Sequence, residues 1–274
     1  MTRMTTGTRF ATRRHATDVE PLCEGPGTTS TPPAPEPVSL RVDPWAVTRV
    51  LIMVAAGLTL ASVAGQAAKF GWGIERAGGL IPGFNLDHEG NFPTWYQSTS
   101  LGVCALLLAL VATAAKRKRQ RRVWRWRLLA LVFLGCSIDE EAAVHEMLIR
   151  PMRSEFHADG WFHYAWVIPG AVFTALMAAV FWRFLMELAP KIRRLFIIAG
   201  VLYIGGALGM EMVGGYYATR YGVEHFAYVI LTTVEEVLEM AGVIVFIHAL
   251  LTHLGLMAVS CHVSAPGGPT SADA

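Results

Sequence analysis

The stretch that decides the fold is residues 226–253, FAYVILTTVEEVLEMAGVIVFIHALLTH. It is long enough to cross a bilayer, because about 20 mostly apolar helical residues span a hydrocarbon core of about 30 Å. Its interior nevertheless contains Glu235, Glu236 and Glu239. An ionisable group inside a membrane is expensive and marks a functional site by default. The stretch therefore predicts a membrane helix whose carboxylates face other helices.

Five further segments of comparable length precede this one. The chain is 53% hydrophobic and only 16% charged, whereas an ordinary soluble domain carries about 25% charged residues. The sequence therefore predicts an all-α, six-transmembrane-helix bundle over residues 45–254. The predicted spans are 46–68, 97–115, 126–148, 163–186, 195–217 and 226–253.

The two ends of the chain have a different composition. Residues 20–37 are rich in Pro, Gly, Thr and Glu, a composition that cannot build a core. We expect residues 1–44 to be a disordered cytoplasmic tail and residues 255–274 to be a second cytoplasmic tail. The four cysteines are scattered, without the paired spacing of a metal finger.

The positions of Lys and Arg predict the orientation. With the N-terminus inside, 18 of the 23 Lys and Arg residues fall on the cytoplasmic side, as the positive-inside rule requires. We therefore expect a multi-pass protein of the bacterial inner membrane with both termini cytoplasmic. The basic run Lys116–Arg122 is interpreted as a topology anchor that contacts anionic lipid in the bilayer. A role in binding nucleic acid is not expected.

Three of the predicted spans carry acids in their interior, and no Lys or Arg lies in the middle of any span to neutralise them. The candidate site residues are Ser137, Asp139, Glu140, Glu141, His145 and Glu146 in the third span, Glu211 in the fifth, and Thr232, Glu235, Glu236 and Glu239 in the sixth. Either protons or a metal ion must compensate these charges.

Helical spacing sorts these candidates. Glu141 and His145 are four residues apart, as are Glu235 and Glu239, so each pair shares a helix face. Three helices place acids at a similar depth in the outer half of the membrane, which predicts one shared cavity. The structural alternative is that Glu141 and His145 form only a hydrogen-bonded pair between packed helices.

Two short patterns suggest an internal repeat. Residues 137–140 read SIDE and residues 233–236 read TVEE, at comparable positions in a three-plus-three division. Halves of three spans have opposite orientations, as in inverted-repeat transporters. The glycines at 205, 206, 209, 214 and 215 predict close helix packing in the fifth span.

The motifs SIDEEAAVHEM (137–147), GGALGMEMVGGYY (205–217) and LTTVEEVLEMAGVIVFIHALL (231–251) resemble those of a group of uncharacterised bacterial polytopic membrane proteins. These carry an S-x-D-E-x(4)-H-E-like motif in the third span and are sometimes loosely labelled multidrug transporters. The resemblance covers residues 46–254 and implies fold and topology, with no mechanism attached.

Three functions remain open from the sequence. The first is a metal-dependent membrane enzyme acting on a lipid or other apolar substrate, with iron, manganese or zinc activating water or oxygen. Its general base would be Glu140 or Glu235. Its metal ligands would be Glu141, His145, Glu211, Glu236 and Glu239.

The second function is a small-solute transporter driven by protons or cations, in which the buried acids exchange protons. Six spans are few for a monomeric secondary transporter, so we expect a homodimer in that case. The third is a non-catalytic membrane assembly partner, whose acids would bind basic residues of another protein.

Overall fold

The computed structural model describes residues 42–156 and 158–263, and every regular element in that part of the chain is helical. The predicted tails fall largely outside the described residues, although the last helix continues to Val263. The longer elements are α1 Pro44–Trp72, α2 Leu80–Phe84, α3 Phe92–Arg117, α4 Val123–Ala142, α5 Val144–Phe156, α6 Val167–Glu187, α7 Pro190–Ile204, a π-helical segment Gly205–Met210, α8 Glu211–Tyr221 and α9 Phe226–Val263.

Five helices in the described part of the chain are long and apolar enough to cross a membrane. They coincide with five of the six predicted spans, which confirms an all-helical fold compatible with a bilayer. Their bounds are Pro44–Trp72, Phe92–Arg117, Val167–Glu187, Pro190–Tyr221 and Phe226–Met257.

The third predicted span, 126–148, differs from the structure. Helix α4 ends at Ala142, because Ala143 adopts a left-handed conformation with φ 51°, and α5 begins directly afterwards. Because charged residues lie near both ends of α4, this helix is not among the five that are apolar enough to cross a membrane.

Local sequence explains where the long helices begin. The Asp43 side chain accepts a hydrogen bond from the backbone N–H of Trp45 at 2.9 Å, and Pro44 occupies the first turn of α1. Asn91 caps α3 in the same way through the N–H of Thr94, at 3.2 Å. Such caps satisfy N–H groups that have no partner within the helix.

Helix α9 is the central element of the bundle, in contact with α1, α3, α7 and the π-helical segment. An apolar core surrounds its second half, where Ile247 and Leu250 pack with Leu108 and Val111 of α3 and Ile192 of α7. This apolar core lies toward the end of the bundle that carries Lys116–Arg122, the basic end, where the Lys118 ammonium donates to the Met257 carbonyl at 2.6 Å.

Two glycines allow α9 to approach its neighbours closely. A Cβ added at Gly242 would lie 2.7 Å from the Tyr203 backbone nitrogen, and one at Gly206 would lie 2.8 Å from the Glu235 carbonyl oxygen. By contrast, Gly205 and Gly209 have open space at the Cβ position. The expected close packing of the fifth span therefore depends on particular glycines.

Candidate functional site

The break between α4 and α5 organises the first part of the site. One oxygen of Asp139 accepts from the His145 backbone N–H at 2.8 Å, and the other lies 3.1 Å from the His145 Nδ1. The left-handed Ala143 brings these two residues together. Glu141 is exposed, so the pair formed in the structure is Asp139 with His145, whereas spacing on a continuous helix favoured Glu141 with His145.

The imidazole of His145 connects the loop before α3 to the interior. Its Nε2 lies 3.6 Å from a carboxylate oxygen of Glu89, and its ring centroid is 4.8 Å from that of Trp166. The Trp166 indole in turn donates to Glu211 Oε1 at 3.0 Å. These contacts connect Glu89 to Glu211 through two aromatic rings, with a polar contact at each end.

The acids of α9 form the second part of the site. Glu235 and Glu239 are only 8% and 9% exposed. Glu211 is the main charged neighbour of Glu235, and Glu140 acts electrostatically on both Glu236 and Glu239. The structure therefore brings together acids from α4, α8 and α9 that are far apart in the sequence, and their strongest charged neighbours are other carboxylates.

Gln97 of α3 borders the deepest of these acids. The residue is 1% exposed, and neither Nε2 nor Oε1 has a hydrogen-bond partner. Its amide lies close to Glu239, outside ordinary hydrogen-bond geometry. A buried amide without partners is costly, so Gln97 is a polar group that stability alone does not explain.

The backbone of the π-helical segment forms one wall beside these acids. A Cβ on Gly206 would meet both the Glu235 carbonyl oxygen and the Glu239 Cγ at 2.8 Å. The segment ends at Met210, so Glu211 starts the next α-helical turn. Short π-helical segments are rare and occur frequently at functional sites.

The four supporting residues are placed differently. Asp139 orients His145, whereas Ser137 joins α4 to α3 by reciprocal bonds with Ser98 at 2.7 and 2.8 Å. The Thr232 hydroxyl donates to the Val229 carbonyl of its own helix at 3.2 Å. Glu146 is exposed and adds negative charge near Glu89.

The electrostatics of the loop follow from this crowding. Burial raises the pKa of Glu89 to about 7, and the nearby Glu146 contributes in the same direction, while His145 opposes the shift. Glu89 therefore changes charge near neutral pH at the entrance of the site.

Sequence reasoning missed three participants, Glu89, Gln97 and Trp166. Glu89 lies in a loop and Trp166 near a helix end, so neither breaks an apolar run. Gln97 is the first residue of the second predicted span and is followed by polar residues as far as Ser100, so it does not break an apolar run either.

Within residues 42–156 and 158–263, no group of three or more His, Cys, Asp and Glu side chains is arranged to hold a metal ion. The acids form a chain of neighbours through the bundle, with the ring of His145 at one end.

A family model described as "Domain of unknown function (DUF8692)" matches residues 46–254, and the chain belongs to this family. No curated protein matches the chain. No solved structure matches it either.

Proposed function

We propose that the protein is a membrane transporter in which the carboxylates between α4, α8 and α9 bind and release protons, or small cations, to drive the movement of a solute. The supporting observation is the burial of Glu235 and Glu239 among other acids. Ionised carboxylates cannot remain buried together without compensation. A reversible proton or cation provides that compensation.

The arrangement of the polar groups supports entry from one side. Groups follow one another from Glu89 through His145, Trp166 and Glu211 to the acids of α9. Beyond Glu239 the apolar core closes the path toward the basic end. A site that is reached from one side and closed on the other is what one state of an alternating-access cycle requires.

In the proposed transporter, α4 is a sixth span. Its 20 residues correspond to about 30 Å of helix, the thickness of a bilayer core. Arg122 before its start pairs with Glu187 at the basic end, and His145 after its end pairs with Glu89 at the opposite end. With the basic end cytoplasmic, the site would open to the outside of a bacterial inner membrane.

A specific observation also favours a second candidate, the metal-dependent enzyme. Asp139 holds the Nδ1 side of His145, which leaves Nε2 directed at Glu89. A carboxylate on one ring nitrogen is typical of histidines that bind a metal through the other. Glu89 and His145 would then be the first two ligands of iron, manganese or zinc, and the metal would activate water for attack on an apolar substrate.

The proposed transport function is tested by charge movement in proteoliposomes adsorbed to a solid-supported membrane. A pH jump on the side of Glu89 is expected to produce a transient current in the wild-type protein. The current should disappear in Glu239→Gln and Glu235→Gln, which remove the proton-binding group at similar size.

Glu224→Gln is the matched control, because Glu224 is exposed in the loop before α9. It should leave the current unchanged. A wild-type protein that gives no current while retaining stoichiometric metal, lost in His145→Ala, would instead favour the enzyme. Absence of both signals in a folded protein would leave the assembly partner as the working hypothesis.

A further inference from the structure

A groove on the surface between α3 and α4 lies apart from the carboxylates. It has a volume of about 610 Å³. On α3 it is lined by Gly102, Ala105, Ala109 and Ala112, which recur every three or four residues and so share one helix face. Ala105 and Ala112 are buried and Ala109 is exposed, so the groove follows the outer edge of the contact between α3 and α4.

The dimensions of the groove suit one lipid chain. From Gly102 to Thr113 the α3 backbone rises about 16 Å, which is roughly half of the bilayer core. The opposite wall is formed by Leu131 and Leu134 of α4. An apolar wall that extends over one leaflet is complementary to an acyl chain.

An arginine without an ion-pair partner among the described residues lies at one end of the groove. Arg127 lines the groove opposite Thr113, near the basic end. It is exposed, and nothing in the described part of the chain forms a hydrogen bond or an ion pair with it. Its neighbours Arg122 and Arg125 are both already paired with Glu187.

We propose that this groove is a specific site for one phospholipid with an anionic headgroup. The acyl chain lies along the small residues of α3, and Arg127 binds the phosphate by charge-assisted hydrogen bonds. The basic run Lys116–Arg122, at the same end, favours an anionic headgroup over a zwitterionic one. This proposal does not depend on the proposed transport function.

Charge also decides between a lipid and a second copy of the chain. A dimer whose twofold axis runs along the membrane normal has both copies in the same orientation, as the one-sided Lys and Arg distribution requires. Packing through this groove would therefore bring two copies of Arg127 to the same depth, where like charges repel without a screening partner. A phosphate removes that difficulty, and the expected homodimer would use another face.

The test is native mass spectrometry of the full chain in mild detergent, titrated with phosphatidylglycerol and, in parallel, with phosphatidylcholine of identical acyl chains. One phosphatidylglycerol should bind with clear preference. Arg127→Gln should weaken binding roughly tenfold, the loss expected for one charge-assisted interaction. Ala109→Phe should block binding by filling the groove from an exposed position.

Two matched controls keep the test specific. Arg194→Gln removes another exposed arginine near the basic end, and Ala179→Phe adds the same ring on the exposed face of α6. Both should bind phosphatidylglycerol as the wild type does. Thermal unfolding in detergent verifies that each variant is folded.

Several results would overturn the proposal. These are the absence of a saturable lipid adduct on the wild type, equal binding by Arg127→Gln and Ala109→Phe, and equal retention of both lipids. Stabilisation by inorganic phosphate alone to the same extent would show an anion site without a lipid chain. A wild-type dimer that Ala109→Phe dissociates would assign the groove to a second copy.

Discussion

Gln97 shows how a single residue separates function from stability. Its amide is buried and unpartnered beside Glu239. Because no hydrogen bond compensates for its lost hydration, the amide lowers the stability of the folded protein. Such costs are commonly retained at sites that bind something. In the proposed transporter, the amide would contact the bound cation or hydrated proton at the deepest point of the path.

Gln97→Met should therefore stabilise the protein and impair it at the same time. Removing the unsatisfied amide is expected to raise the free energy of unfolding by about 1–2 kcal/mol, while the pH-jump current falls. The control is Gln66→Met, because the Gln66 Nε2 donates to Asn85 Oδ1 at 2.7 Å. That change should lower stability by about 1 kcal/mol. Thermal unfolding in detergent measures the stability of both variants. A destabilised Gln97→Met would show that the Gln97 amide is satisfied in the folded protein.

Glu89 predicts a pH dependence of stability. Its pKa is raised from 4.5 to about 7 by burial and by Glu146, so the folded protein holds the proton more tightly than the unfolded chain does. Between pH 4.5 and 7 the stabilising contribution of this group is therefore lost as pH rises.

Glu89→Gln should flatten that pH profile and make the variant more stable than the wild type above pH 7. Partial exposure of the side chain reduces the effect. Unfolding temperatures at a series of pH values measure it, with Glu224→Gln as the control. A variant with the wild-type slope between pH 4.5 and 7 would refute the assignment.

Among the contacts between helices, the one between the π-helical segment and α9 leaves no room for a side chain at Gly206. A Cβ at Gly206 meets backbone at 2.8 Å, so the helices must separate to accommodate it. Gly206→Ala is expected to destabilise the protein by about 1–3 kcal/mol and to displace Glu235 and Glu239.

The neighbouring glycine provides the comparison. Gly205→Ala meets open space and should be neutral or stabilising by up to about 1 kcal/mol, because alanine loses less entropy in a helix. Equal effects of the two substitutions on thermal unfolding would show that the contact with α9 is looser than described.

The α4–α5 junction shows why part of the site was not predictable. Residues 137–148 have the spacing of one continuous helix, and nothing in the residue types around Ala143 signals a left-handed turn. The break depends on the contacts of Asp139 and His145 with each other and with Glu89, which are known only once the helices are packed. The predicted three-plus-three repeat remains a prediction; SIDE precedes this break, whereas TVEE lies inside the uninterrupted α9.

At the scale of the whole molecule, long apolar runs made the five membrane-compatible helices predictable from sequence, because length and hydropathy suffice to define them. The grouping of acids on α8 and α9 was also predictable, since charges inside such runs must converge on one another. Glu89 and Gln97 were not, because a loop residue and a neutral amide carry no comparable penalty in the sequence.

The sixth span makes a prediction about topology. In a cysteine-free background, His88→Cys and Val223→Cys should react with a membrane-impermeant reagent from the same side of the membrane, and Gln120→Cys from the other. If α4 did not cross, Val223→Cys would react from the side of Gln120→Cys. Labelling of oriented vesicles distinguishes the two arrangements directly.

The proposed transport requires that the buried carboxylates exchange protons. Infrared difference spectroscopy of the purified protein between low and high pH measures this most directly, since protonated carboxyl groups have their own C=O band. We expect a pH-dependent carboxyl band that is reduced in both Glu235→Gln and Glu239→Gln and unchanged in Glu224→Gln. Difference spectra identical in all four proteins would contradict it, because the acids of α9 would then keep one protonation state throughout.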